Sequence, residues 1–482
     1  MNEAAAALSQ VPSSASTWAW RVVRGGLIGM AAHGLLALGL LGAGASVWPG
    51  WLPACVLAGI VAAPVRDTVV DPRGAPRGLV IAVVIVLAAV LVALAFGALA
   101  TPARHWDGFV AWEMRARVLT EAPTLLQPYF TDHAVFAQSR DYPLVQPLWQ
   151  ASLAHLLGSG GRALFPSLWA ALLATLGLAL RRGGWPGRTC WLAVAGLGLM
   201  PMLVTPTSGA VDSGYGETAI LLALTAAGAG LVLRDGLLLG AACTLAVVLK
   251  PEGTIYALVV TAAAWWSGER RLVAGAALGS TLALAVWLPV RTFLAVGPAA
   301  AASVAWTPRL AALTAVTPLL VWVRPSVGRR PTIWLLAGAA AVVLATAAAL
   351  GSDEGALGGY LHNLRVLPGR LARVPALLAA LCQQALALQR FGLLWPLLAL
   401  APFAAGPRAT RPRGLGTLLA LGLAVVCASM LLSPEEDFDH HVRSSLDRLL
   451  LQWTGPSVLL IATWLGQHAA QTHATQPAPS QA

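Results

Sequence analysis

Charge is what this chain has least of. Only 11% of its 482 residues are Asp, Glu, Lys or Arg, against 57% hydrophobic, and mean hydropathy is +0.72. Soluble domains carry about a quarter charged residues, so this chain has too few to cover a water-exposed surface. No polar block is long enough to form a separate soluble domain. Lysine is almost missing: of 31 Lys+Arg, Lys250 is the only lysine. Despite a formal net charge of +11, there is no basic patch or stripe. The arginines are scattered between apolar segments, which excludes a nucleic-acid partner. The five cysteines (Cys55, Cys190, Cys243, Cys382, Cys427) lie in or beside apolar segments. They offer neither a metal-ligand spacing nor an external disulfide framework, and read as small buried hydrophobes.

What is present is a succession of apolar runs. With a membrane helix of about 20 residues as the ruler, about fourteen can be drawn. They span 24–46, 49–65, 79–99, 161–180, 190–206, 215–233, 236–249, 253–267, 272–296, 308–323, 332–350, 375–403, 414–432 and 449–467. The expectation is an all-α, polytopic transmembrane bundle over residues 19–467. A polar tail precedes it at 1–18, and an Ala-, Gln- and Pro-rich tail expected to be disordered closes the chain at 468–482.

Arginine placement orients the bundle. With the N-terminus cytoplasmic, alternate loops carry Arg66, Arg73 and Arg77; Arg181, Arg182 and Arg188; Arg324, Arg329 and Arg330; Arg408, Arg411 and Arg413. Glu3, Asp67, Asp71, Asp235 and Glu269 then fall inside, and the rest of the 20 acidic residues fall outside or at outer helix ends. That skew is not part of the orientation rule. It has two explanations, chemistry at the outer face or long polar outer loops at 100–145, 351–374 and 433–448.

The first of these loops contains a helical pattern over 107–121, with Phe109, Trp112, Ala116 and Leu119 on one stripe and Arg115 and Arg117 off it. Such a helix is expected to lie in the headgroup layer among membrane lipids. Asp107 stands at its start, where an aspartate serves as an N-cap and can also serve as a base. Asp212, Glu217, Lys250 and Glu252 are expected at outer helix ends, where ionisable groups are functional suspects. Snorkelling or a Lys250–Glu252 ion pair would also explain them. In 433–448, the spacing of Glu435, Glu436, Asp437, Asp439, His440 and His441 matches no ligand motif, so no metal is predicted. Arg443 and Arg448 suit phosphate recognition.

Together these landmarks resemble the GT-C superfamily of membrane glycosyltransferases, most of all the bacterial protein mannosyltransferase-like and aminoarabinose transferase-like branch. The resemblance is carried by Trp106-Asp107 with Trp112, Arg115 and Arg117, then Asp141-Tyr142-Pro143-Leu144 with Pro147. Gly214-Tyr215-Gly216-Glu217, Lys250-Pro251-Glu252-Gly253 and Ser445-Leu446-Asp447-Arg448-Leu449-Leu450 complete it. An extra hairpin over 24–65 precedes the long loop.

The resemblance implies transfer of a sugar, with inversion, from a polyprenyl-phosphate donor to a glycan, lipid or protein acceptor. The reaction would run at the outer (periplasmic or extracellular) face of the plasma (inner) membrane. It implies Asp107 as general base and Arg115, Arg117, Lys250 and Arg448 as cations for the donor phosphate. Trp112, Asp141, Tyr142, Glu217 and Glu252 would contact sugar or acceptor. No cofactor is expected, although the carboxylates would permit a divalent ion.

The main rival is a multi-pass transporter or flippase of a lipid-linked or small anionic substrate. That class commonly shows internal repeats and midplane binding groups, and neither is visible. An outer-face polymerase or ligase would carry its long loop late in the chain, and a scaffold would not need Asp, Arg and Lys at one level.

Overall fold

A helix that is apolar on all sides must be enclosed by other helices or by lipid, and both solutions occur here. The computed structural model describes residues 14–63, 74–103, 105–132, 142–158, 160–302, 367–405, 413–433 and 437–474. Among these the chain is helical, with no strand. Every residue from Glu217 to Leu231 in the helix Glu217–Leu233 is buried, and so is every residue from Leu238 to Leu249 in Gly236–Leu249. These two form the centre. Helix Arg77–Ala100 is the opposite case: only Val83, Leu94 and Ala98 are buried. Ile81, Ile85, Val92 and Phe96 are openly exposed. An apolar surface of that extent suits acyl chains rather than water.

Five helices of the described residues are long and apolar enough to cross a membrane: Ser16–Gly42, Arg77–Ala100, Gly160–Arg182, Arg270–Ala295 and Gly414–Leu432. A sixth span is obtained if Phe438–Gln452 and Thr454–Gly466, bent by 47°, count as one. The tally of about fourteen is therefore not confirmed among the described residues. The segments expected at 308–323 and 332–350, most of the 351–374 loop and the tails at 1–13 and 475–482 lie outside the described residues. Others are shorter than expected or broken. The 375–403 run divides into Val374–Ala385, Leu388–Phe391 and Leu394–Ala405, with Gly392 at φ 56° in the last break. The 190–206 run breaks before Pro201, which starts a new turn. Pro456 has no N–H to bond back to Gln452, which matches the bend at Trp453.

Close packing rests on glycines four apart. Gly236 and Gly240 face Gly275 and Gly279 of helix Arg270–Ala302, and a Cβ on Gly240 would stand 2.7 Å from the Gly275 carbonyl oxygen. Backbones meet there as in small-xxx-small membrane contacts, and Thr244 Oγ1 donates to the Gly279 carbonyl at 3.1 Å. Gly25 and Gly29 do the same against Cys55, Gly59 and Ile60 of helix Trp51–Ala62.

Polar side chains gather at two ends. At one end Arg24 grips Asp235 through Nε–Oδ2 at 2.5 Å and Nη2–Oδ1 at 3.1 Å. Asp235 also caps its helix by accepting from the Leu238 N–H at 3.0 Å, the role for which aspartate is suited. Arg234–Glu269 at 2.8 Å and the Arg182 guanidinium over Trp20 lie beside it. The second set surrounds Glu217. It is one helix length away, about 25 Å at 1.5 Å per residue.

Candidate active site

The second polar end is assembled from several stretches of chain. Asp107 ends the loop after helix Arg77–Ala100, Tyr215 lies two residues before helix Glu217–Leu233, and Glu217 begins it. Lys250 and Glu252 occupy the turn between Gly236–Leu249 and Gly253–Ser267, and Arg448 lies on Phe438–Gln452. The Tyr215 hydroxyl donates to Asp107 Oδ2 at 3.3 Å. Arg448 Nη1 stands 4.0 Å from Asp107 Oδ2 and 3.8 Å from Glu217 Oε1. Its guanidinium lies over the Tyr215 ring, 4.8 Å from the centre. Lys250 Nζ bonds Glu217 Oε1 at 3.0 Å and Glu252 Oε1 at 2.8 Å.

The two cations differ in how closely carboxylates hold them; Arg448 is anchored instead on its own helix, with Nε donating to the Ser444 carbonyl at 3.0 Å and Nη2 donating to Ser445 Oγ at 3.4 Å. Charge-assisted N–H···O bonds run at about 2.7–2.9 Å. Lys250 is within or close to that range on both sides, whereas the contacts of Arg448 to Asp107 and Glu217 are far longer. An incoming anion would therefore find Arg448 less saturated by carboxylates than Lys250. Access has the same order: the Arg448 side chain is 18% exposed and that of Lys250 is 10% exposed.

Burial by itself would discharge Lys250, but Glu217 and then Glu252 more than offset it and hold its pKa above the ordinary lysine value. Burial raises the Tyr215 phenol. Arg448 opposes that rise, and the negative charges of Asp107 and Glu217 add to it. At neutral pH the hydroxyl thus keeps its proton and acts as the donor toward Asp107.

The remaining candidates make other contacts. Arg115 is buried and donates to the Tyr142 carbonyl at 3.0 Å. Arg117 pairs with Glu113 at 2.9 Å and stands over Phe109, with its side chain 60% exposed. Trp112 packs against Tyr142, ring centres 5.8 Å apart, and its edge closes over Gly216, so it walls the site from behind. Asp141 and the acidic pair Glu435 and Glu436 lie outside the described residues. Asp437 caps its helix by accepting from the His440 N–H at 2.9 Å.

The helix expected in the headgroup layer is built differently. Trp112, Ala116 and Leu119 are buried in protein, packed toward helix Val145–Leu157. Residues Gly108–Glu113 form a π-type turn before α-helix resumes at Met114–Glu121. Arg115, expected on the polar face, stands three residues after Trp112 and four before Leu119, so it shares their face and is buried with them.

Several participants carry little signal in the sequence. Tyr215 lies inside the Gly214–Glu217 motif, where nothing local gives it a role of its own. Gln452 joins Tyr256 (2.6 Å, hydroxyl donating to Oε1) to Glu252 (3.4 Å, Nε2 donating). Arg390 pairs with Asp447, whose Oδ1 accepts from the Arg448 N–H at 2.7 Å. The one available signal is the spacing of Arg448 and Gln452, four apart and so on one helical face.

Compared with family models, with curated proteins and with solved structures, the chain matches none.

Proposed function

We propose that this chain is a membrane glycosyltransferase that moves a sugar from a polyprenyl-phosphate donor to a hydroxyl-bearing acceptor. The observation that carries the proposal is the grouping of Asp107, Tyr215 and Arg448: a half-exposed carboxylate, a phenol that keeps its proton and a guanidinium whose contacts to carboxylates are long. A base beside a cation for a leaving phosphate is the minimal equipment for a single displacement at an anomeric carbon. Asp107 takes the proton of the acceptor hydroxyl, and the acceptor oxygen bonds to the anomeric carbon. The bond from that carbon to the phosphate oxygen breaks, and polyprenyl phosphate leaves with its added charge facing Arg448. One displacement inverts the configuration.

In this scheme Lys250 holds Glu217 and Glu252 in place, and Arg448 is the principal phosphate ligand. Arg115 and Arg117 are engaged by the Tyr142 carbonyl and by Glu113. Trp112 shapes the wall, and Glu217 and Glu252 orient the cations.

The test uses full-length protein in nanodiscs with a panel of radiolabelled polyprenyl-phosphate sugars, measuring binding and turnover separately. Asp107→Asn should bind donor and lose turnover by about 10²–10⁴-fold. Arg448→Gln should lose donor affinity. A wild-type protein that binds none of the panel, but moves an anionic lipid across the bilayer, would replace this proposal with a flippase.

A further inference from the structure

We propose that Arg162 is a positioning residue that clamps the loop bearing Asp107 to the loop bearing Tyr215 and Glu217. Its kinetic consequence rests on the glycosyl-transfer proposal; the clamp itself does not.

Arg162 sits in the short turn Gly160–Ala163, which leads into helix Leu164–Arg182. It is 9% exposed. The turn is seated tightly, since a Cβ on Gly161 would stand 2.7 Å from the Gln150 carbonyl oxygen of helix Val145–Leu157. From that fixed point Arg162 Nη2 donates to the Asp212 carbonyl at 2.6 Å and Nη1 donates to the Thr101 carbonyl.

Both acceptors are strategic. Thr101 is the first residue past helix Arg77–Ala100, its hydroxyl turned back to the Gly97 carbonyl at 2.6 Å. It opens the loop that ends at Asp107. Asp212 belongs to the turn Val211–Ser213 that delivers Tyr215 and Glu217. The two loops also touch directly, for there is no room for a Cβ on Gly108 against the Ser213 carbonyl. On its other side the Asp107 loop is held by Glu113, whose Oε2 accepts from the Ala103 N–H at 3.2 Å.

A guanidinium suits this task because its donors diverge in one rigid plane and reach two acceptors at once, which an ammonium on a flexible stem does not do. The separation it governs is that between Asp107 and Tyr215. Misplacement of a reacting group by about 1 Å can cost about 10²-fold in rate.

Hydrogen exchange by mass spectrometry on the full-length protein in nanodiscs tests the clamp directly. In Arg162→Ala, exchange in 101–108 and in 209–216 should rise together by about tenfold or more, the signature of one lost restraint shared by two loops. The interior of Glu217–Leu233 should stay protected, and Arg162→Lys should fall between the two. Turnover should drop about 100-fold with donor affinity within about threefold, since Arg448 is anchored on its own helix through Ser444 and Ser445 and loses at most its cation–π contact with Tyr215.

Loosening of one loop alone, unchanged exchange in both, or loosening throughout the bundle would each overturn the clamp. Arg162→Lys serves as the deciding variant if the alanine variant does not fold. If the wild-type protein turns over no donor, glycosyl transfer fails while the exchange data still decide the clamp.

Discussion

The guanidinium of Arg448 rests 4.8 Å above the centre of the Tyr215 ring, and the hydroxyl of that ring reaches Asp107. Tyr215 thus touches the proposed base with its polar tip and the proposed phosphate ligand with its face, so its two functions can be separated by mutation. In Tyr215→Phe the ring stays under Arg448 and the bond to Asp107 goes. A net hydrogen bond is worth about 0.5–1.5 kcal/mol, so turnover should fall about two- to tenfold with donor affinity unchanged. Tyr215→Ala also removes a cation–π contact of about 0.5–1 kcal/mol, and donor affinity should weaken as well. Steady-state kinetics with separately measured donor binding decides it; wild-type turnover in the phenylalanine variant removes Tyr215 from the site.

Lys250 answers two carboxylates that burial would otherwise make costly. Lys250→Met leaves Glu217 and Glu252 without their cation, and breaking a buried pair in this way costs about 3–5 kcal/mol. The melting temperature in detergent should drop sharply. Adding Glu217→Gln should recover part of the loss, because the two changes touch one network and do not add. Equal melting of wild type and both variants would show that the pairing carries no stability.

Asp235 sets a pH dependence at the opposite end of the bundle. Burial works to raise its pKa, but the bond from Arg24 and the helix-capping N–H groups overcome this and hold it below the ordinary value of 3.8. A carboxylate depressed in the folded state adds stability that is present above the unfolded pKa and lost as pH falls through the folded one. Wild type should therefore lose melting temperature from about pH 4 downward. Asp235→Asn should be less stable at neutral pH and flatter in that acid window. A parallel acid profile in the variant would assign the loss to other carboxylates.

Much of the helical layout was legible because its causes are local. The runs drawn at 236–249 and 253–267 coincide with helices Gly236–Leu249 and Gly253–Ser267, since Asp235-Gly236 and Lys250-Pro251-Glu252-Gly253 break the chain with turn residues on both sides. Breaks inside unbroken apolar runs were not legible: Gly392 and Pro201 carry little signal when hydropathy stays high around them. The glycine faces at Gly236/Gly240 and Gly275/Gly279 take their meaning only from their apposition in the fold.

The site divides the same way. That Asp107, Glu217, Lys250, Glu252 and Arg448 are suspicious comes from composition, because ionisable groups are costly in an apolar chain and each needs a reason. Which of them meet does not. Arg115 and Arg448 look alike in sequence, yet one is buried and donates to a backbone carbonyl and the other stands beside Asp107. The scarcity of charge and the lengths of the apolar runs, written residue by residue, determined that this is a helical chain with spans fit for a membrane. The partners of each charge were decided only by the tertiary structure, because they sit on elements far apart in the chain, and packing alone sets the distance between them.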